Sequence, residues 1–146
     1  MGKFFDELEP GQEFVSAGRT ITEADIINFA GLTGDWSELH VNREFADKGY
    51  FGQRIAHGAL TFSISTGLAV RMGLLDDVLI AFYGIDRLRF RQPVFIGDTL
   101  WVRKRVESKE DRDEHSGLLT FATEVVNQRQ QVVLSYQDKV LLKKAG

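Results

Sequence analysis

The chain has 146 residues, the length of one domain, so residues 1–146 are expected to fold as a single unit. Hydrophobic residues make up 43% and charged residues 27%, which excludes disordered, collagen-like and coiled-coil chains. The formal net charge of −3 leaves no basic excess to neutralise phosphates, and this argues against nucleic acid as a partner.

In chain order, the N-terminus places Asp6, Glu7 and Glu9 where a secretory signal needs basic and then apolar residues. A cytoplasmic location is therefore expected. Pro10-Gly11 reads as a turn, and Gln12 to Ile21 as a first strand. Thr22-Glu23-Ala24-Asp25 predicts a helix start, with a capping hydroxyl and an acid three residues on. Ile26, Phe29, Ala30 and Thr33 continue at helical spacing, and Gly34 can end the helix. A loop through Asp35 and His40 follows. Asn42 to Lys48 reads as a short helix with Phe45 and Ala46 turned inward. Gly49-Tyr50-Phe51-Gly52 reads as another loop.

From Ile55 to Val70 there is no Asp, Glu, Lys or Arg. Apolar residues go all round a helical wheel there, which predicts a central buried helix. At 1.5 Å per residue it spans about 24 Å, short of the roughly 30 Å bilayer core, and its hydroxyls also argue against a membrane. Beyond Gly73 the period becomes two. Leu88 and Phe90 alternate with arginines, and Thr99 to Val106, Leu118 to Val126 and Val132 to Leu142 alternate as strands do. One buried helix and several long strands predict an α+β fold, with an antiparallel sheet curled around the helix.

Cysteine is absent, so disulfides, thiolate nucleophiles and Cys-ligated metal sites are excluded. Chemistry falls to a few residues. Asp35 and His40 stand close together, and at neutral pH a carboxylate and a neutral imidazole are both acceptors able to hold one water. The competing reading is a surface acid and a loop histidine. Gly58 follows Ala56-His57 where the buried helix should begin. Its N–H has no helical partner and could meet a substrate carbonyl oxygen, or the glycine could be an ordinary cap. Thr66 lies two turns on; its hydroxyl could orient Asp35 or satisfy a backbone carbonyl. His40 and His57 are too few and too separated in sequence for a metal site. Arg87, Arg89, Arg91, Arg103 and Arg105 could bind the phosphates of coenzyme A, against the simpler reading of a water-facing sheet surface.

Several of these features occur in one order: Ile21-Thr22-Glu23-Ala24-Asp25, Phe29-Ala30, Gly34-Asp35 with Leu39-His40, Ile55-Ala56-His57-Gly58, and Phe90 with Pro93-Val94 and Gly97-Asp98-Thr99-Leu100. This pattern resembles the MaoC-like dehydratases, which include the (R)-specific enoyl-CoA hydratases. The resemblance implies a hotdog fold that pairs as a homodimer or a dimer of dimers. It implies Asp35 and His40 as the catalytic pair, Gly58 as the donor to the thioester oxygen, and Thr66 and Ser37 in support. Ser37-Glu38 stand where the family commonly has Asn-Pro. The implied reaction is hydration of a trans-2-enoyl thioester to an (R)-3-hydroxyacyl thioester. The carrier would be coenzyme A or acyl carrier protein, with no cofactor beyond the coenzyme A of the substrate. A hotdog acyl-CoA thioesterase and a non-catalytic acyl-thioester-binding protein are the alternatives.

Overall fold

The computed structural model describes residues 2–146. A 3₁₀ turn at Phe5–Glu7 leads to two short strands, β1 (Glu13–Val15) and β2 (Arg19–Thr20). The single strand expected over Gln12 to Ile21 is thus broken. At the break the Ser16 hydroxyl accepts from Val102 N at 2.9 Å, replacing a ladder bond with a side-chain one. Gly18 lies against the Trp101 indole so closely that a Cβ there would come within 2.6 Å of it.

Helix α1 (Glu23–Thr33) begins and ends where its sequence predicts. Thr22 Oγ1 accepts from Asp25 N at 3.2 Å, and Asp25 Oδ2 accepts from Thr22 N at 2.8 Å. This reciprocal box satisfies two orphan donors. Gly34 closes the helix with a φ of 82°, a left-handed conformation that suits glycine. The expected loop around His40 contains a further turn of helix, α2 (Glu38–Val41), and α3 (Arg43–Asp47) follows directly, capped by the Asn42 side chain. Within α3, Ala46 is buried as expected. Phe45 is 51% exposed, because the five-residue helix turns only one face to the protein.

The long helix α4 (Gly58–Val70) starts later than the charge-free run. Ile55 bridges to Phe95, and Ala56 N donates to Val94 O, so the first residues are extended. Its buried side is Leu60, Thr61, Ser65 and Leu68. Ala59, Ser63, Gly67 and Val70 form an exposed stripe, so one chain does not bury the helix on all sides.

Four long strands complete the chain: β3 (Leu79–Phe90), β4 (Thr99–Asp111), β5 (Ser116–Val126) and β6 (Val132–Lys143). The sheet order is β1-β4-β5-β6-β3, every pairing is antiparallel, and β2 also pairs with β4. The sheet packs Leu100, Val102, Val125 and Leu134 against Leu60 and Leu68 of α4. A second cluster, with Phe5, Leu8, Phe121 and Leu142, closes the other end.

Two inward strand positions are charged, Lys104 of β4 and Asp138 of β6. Lys104 Nζ donates to Asp138 Oδ2 at 2.6 Å and to Thr123 Oγ1 at 2.9 Å, and Thr123 Oγ1 donates to Asp138 Oδ1 at 2.6 Å. Burial draws the Lys104 ammonium below the ordinary lysine range, although Asp138 opposes this. Burial likewise pushes the Tyr136 phenol up. Tyr136 reaches Ser65 of α4 at 2.7 Å and so joins helix to sheet.

Candidate active site

The end of α1 and the start of α4 meet, and they bring three side chains together. Gly34 turns the chain out of α1 and sets Asp35 on the surface. Asp35 N donates to Thr33 Oγ1 at 3.1 Å, and Asp35 Oδ1 accepts from Ser37 N at 3.3 Å. Ser37 therefore supports the carboxylate through its backbone, and its side chain makes no hydrogen bond among the described residues. Glu38 is engaged elsewhere, accepting from Asn42 Nδ2 at 3.2 Å.

His40 sits in the middle of α2, and its Nδ1 lies 2.8 Å from the Ile55 carbonyl. A carbonyl only accepts, so Nδ1 carries the hydrogen and Nε2 keeps its lone pair. The His40 ring stacks on His57, with centroids 3.9 Å apart and planes inclined by 27°. His57 is 2% exposed, and its Nε2 donates to the Asp35 carbonyl at 3.0 Å. Its Nδ1 is buried without a partner. Phe29 of α1 also packs against His57, with centroids 4.9 Å apart and planes inclined by 59°.

The ligand-type atoms of Asp35, His40 and His57 lie within 4.8 Å of one another. The two histidines are therefore not isolated, as their sequence separation suggests; a contact between helix ends joins them. Imidazole lone pairs lie in the ring plane, and two nearly parallel stacked rings do not aim them at one point. The arrangement suits a water held by Asp35 and His40 better than an ion drawn to within about 2.0–2.1 Å of both rings.

Gly58 follows His57 as the first residue of α4, and no acceptor among the described residues takes its N–H. A Cβ at Gly58 would come within 2.8 Å of the Phe90 ring, so a side chain there would collide. Gly58 opens onto a cleft of about 530 Å³ with Phe51, Ile55, Phe90, Arg91 and Val94. Thr66 donates its hydroxyl to Ser63 O at 2.7 Å, the backbone-satisfying one of its two expected roles. It lines a separate cavity of about 310 Å³ with Ala69, Leu79, Phe82 and Tyr136.

Sequence reading missed His57 as a member of the cluster. The signal was its place in Ile55-Ala56-His57-Gly58, but only the contact between α1 and α4 shows what the ring touches. Arg87, Arg91, Arg103 and Arg105 line one trough on the outer sheet face, whereas Arg89 lies outside it.

Comparison with known proteins identifies the family. Residues 6–133 match the model of the MaoC like domain. The chain is 40% identical over 114 residues to Protein MaoC of Klebsiella aerogenes, covering 78% of this chain and 33% of that one. It thus spans about a third of that relative. It is 40% identical over 98 residues to an (R)-specific enoyl-CoA hydratase of Rhodospirillum rubrum, covering 66% of this chain and 65% of the relative. The structure of a MaoC-like dehydratase from Rhodospirillum rubrum superposes with a TM-score of 0.90 at 29% identity, covering 99% of both chains. The sheet wrapped on α4 is the hotdog fold, as expected. Fold and sequence together place this chain in the MaoC-like dehydratase family, which includes relatives named as hydratases and dehydratases, that is, hydro-lyases.

Proposed function

We propose that the protein catalyses reversible hydration of a trans-2-enoyl thioester to the (R)-3-hydroxyacyl thioester. The observation that carries this reading is the convergence of Asp35, His40 and His57, with the free N–H of Gly58 next along the chain after His57. Asp35 offers a carboxylate and His40 an Nε2 lone pair, so one water donates a hydrogen to each and turns its oxygen toward carbon 3. As the C3–O bond forms, one acceptor takes a proton and the pair returns a proton to carbon 2. The hydroxyl group and the proton thus arrive on one face of the alkene. Negative charge on the thioester oxygen is met by the Gly58 N–H, at the positive end of α4.

Coenzyme A enters as part of the substrate, and no other cofactor is required by these steps. We propose further that the protein works as a homodimer paired along β3. That strand is paired on one side only, with β6, and Leu79, Ile80, Phe82, Tyr83 and Phe90 along it are about half exposed. An apolar, unpaired edge of this length is a template for a second copy. The exposed stripe of α4 is available to the same partner.

Incubation with crotonyl-CoA, following enoyl absorbance and free thiol together, tests the reading. Absorbance loss without thiol release, abolished in Asp35→Asn, is the expected result. Thiol release would instead assign a hotdog thioesterase, and saturable binding without turnover a non-catalytic binder.

A further inference from the structure

The cleft at Gly58 holds one buried polar side chain that the steps above leave unused. Helix α4 carries four hydroxyls, at Thr61, Ser63, Ser65 and Thr66. Three of them donate to carbonyls of their own helix: Ser63 to Ala59 at 2.8 Å, Ser65 to Phe62 at 2.6 Å and Thr66 to Ser63 at 2.7 Å. That is a common fate of a helical hydroxyl. Thr61 is the exception. Its N–H joins the helix at the His57 carbonyl, but among the described residues its hydroxyl has no hydrogen-bond partner. Thr61 is 3% exposed, and it lines the Gly58 cleft. Its oxygen is not sealed in the core, as His57 Nδ1 is.

Helix geometry sets where that oxygen lies. Thr61 stands three residues after Gly58, on the same face and about 4.5 Å along the axis. Helical side chains tilt toward the N-terminus and cover the turn before their own Cα. The Thr61 side chain therefore leans over the turn that Gly58 opens, and the free N–H of Gly58 points toward the same end of the helix. The other polar side chains of the cleft, Arg91 and Gln92, are exposed. Arg91 Nε is also engaged, donating to Ser135 Oγ at 3.0 Å.

We propose that the Thr61 hydroxyl donates a second hydrogen bond to the thioester oxygen that the Gly58 N–H meets, and is a catalytic residue of this site. The inference rests on the thioester reading above. A developing oxyanion has more lone pairs than one backbone N–H can satisfy. A hydroxyl rotates to follow the oxygen as the enolate forms. Its donation strengthens as charge develops, and burial away from water increases its effect. Thr61 keeps its hydrogen throughout, and the proton steps stay with Asp35 and His40.

Turnover of crotonyl-CoA is compared in wild type, T61S, T61A and T61V, each checked by thermal unfolding. Serine and alanine differ only in the hydroxyl, and valine keeps the shape of threonine without it. T61A and T61V are expected to lower kcat by about 10²-fold with little change in KM, as loss of an oxyanion donor does, while T61S stays within about threefold of wild type. A spectroscopic readout needs no turnover. In an Asp35→Asn background, bound 2,4-hexadienoyl-CoA is expected to absorb at longer wavelength than the free thioester, because donors at the oxygen polarise the conjugated system. Adding T61V should reduce that shift, and adding T61S should keep it. Equal loss of kcat in all three variants with the shift intact would mark a packing role and overturn the proposal. Wild-type kcat in T61V would overturn it too. If T61V does not fold, the pair T61S and T61A carries the comparison. A shift lost in T61V, in a protein that hydrates no enoyl thioester, would keep the Thr61 contact and remove the hydratase reading.

Discussion

Asp35 and His40 differ from their surroundings in having a free acceptor each, at the mouth of a helix whose first N–H is also free. Asp35→Asn and His40→Ala are each expected to lower kcat by about 10²–10⁴. Asp35 is exposed and His40 half-buried, so thermal unfolding should change little while turnover of crotonyl-CoA falls. His57 has a different task. It is a positioning residue: it holds the Asp35 carbonyl and stacks on His40. His57→Phe keeps a flat ring and loses the donor, so kcat should fall by roughly 10²-fold through misplacement of the pair. KM should change far less, and a kinetic comparison at several substrate concentrations separates the two. Asp35, His40 and Gly58 can be singled out from the sequence as candidates because each residue type limits its chemistry. The involvement of His57 was not, because a ring contact between residues 17 positions apart in the chain has no local pattern.

Helix α1 carries a pH dependence of stability at its first turn. Burial pushes Asp25 up, but hydrogen bonds from Thr22 and the Arg19 guanidinium together hold its carboxyl below the ordinary value. The Arg54 guanidinium, through a hydrogen bond and its charge, holds Glu23 low. The unfolded chain therefore takes up these protons first as pH falls. The associated stability is present above the ordinary value of 4.5 for Glu and 3.8 for Asp, and is lost as pH drops through the native values. Thermal unfolding from neutral pH to about pH 3 should show a steeper acid decline for wild type than for Asp25→Asn. Thr22→Ala should cost about 1 kcal/mol at neutral pH by loss of the cap, read by denaturant unfolding. Caps of this kind are local, which is why α1 was legible to the residue. The break between β1 and β2 was not, because the indole of Trp101 and the backbone of Val102, far along the chain, decide it.

Across the whole molecule, the buried pair Lys104–Asp138 ties β4 to β6 through Thr123. Asp138→Ala leaves an unpaired buried ammonium and should cost about 3–5 kcal/mol, whereas Lys104→Met with Asp138→Leu should restore most of that loss. Denaturant unfolding of the single and double variants checks the difference. The long edge of β3 makes the second expectation at this scale. Phe82→Asp, on the half-exposed edge, should shift the protein to a monomer in analytical ultracentrifugation while its far-ultraviolet spectrum is retained.

Periodicity, capping and turn chemistry are local properties, so the amino-acid sequence by itself determined the helix from Thr22 to Gly34, a helix within the charge-free run, the long strands and the α+β class. It also supplied the residue types able to hold a water and meet an oxyanion. Tertiary structure alone decided which of them touch. Only packing of α2 on the segment that leads into α4 stacks His40 on His57, and only the sheet order lines arginines from the β3 end of the sheet and from β4 along one trough. Such contacts depend on where distant segments of chain come to rest, which is a property of the packed core and not of any window along the chain.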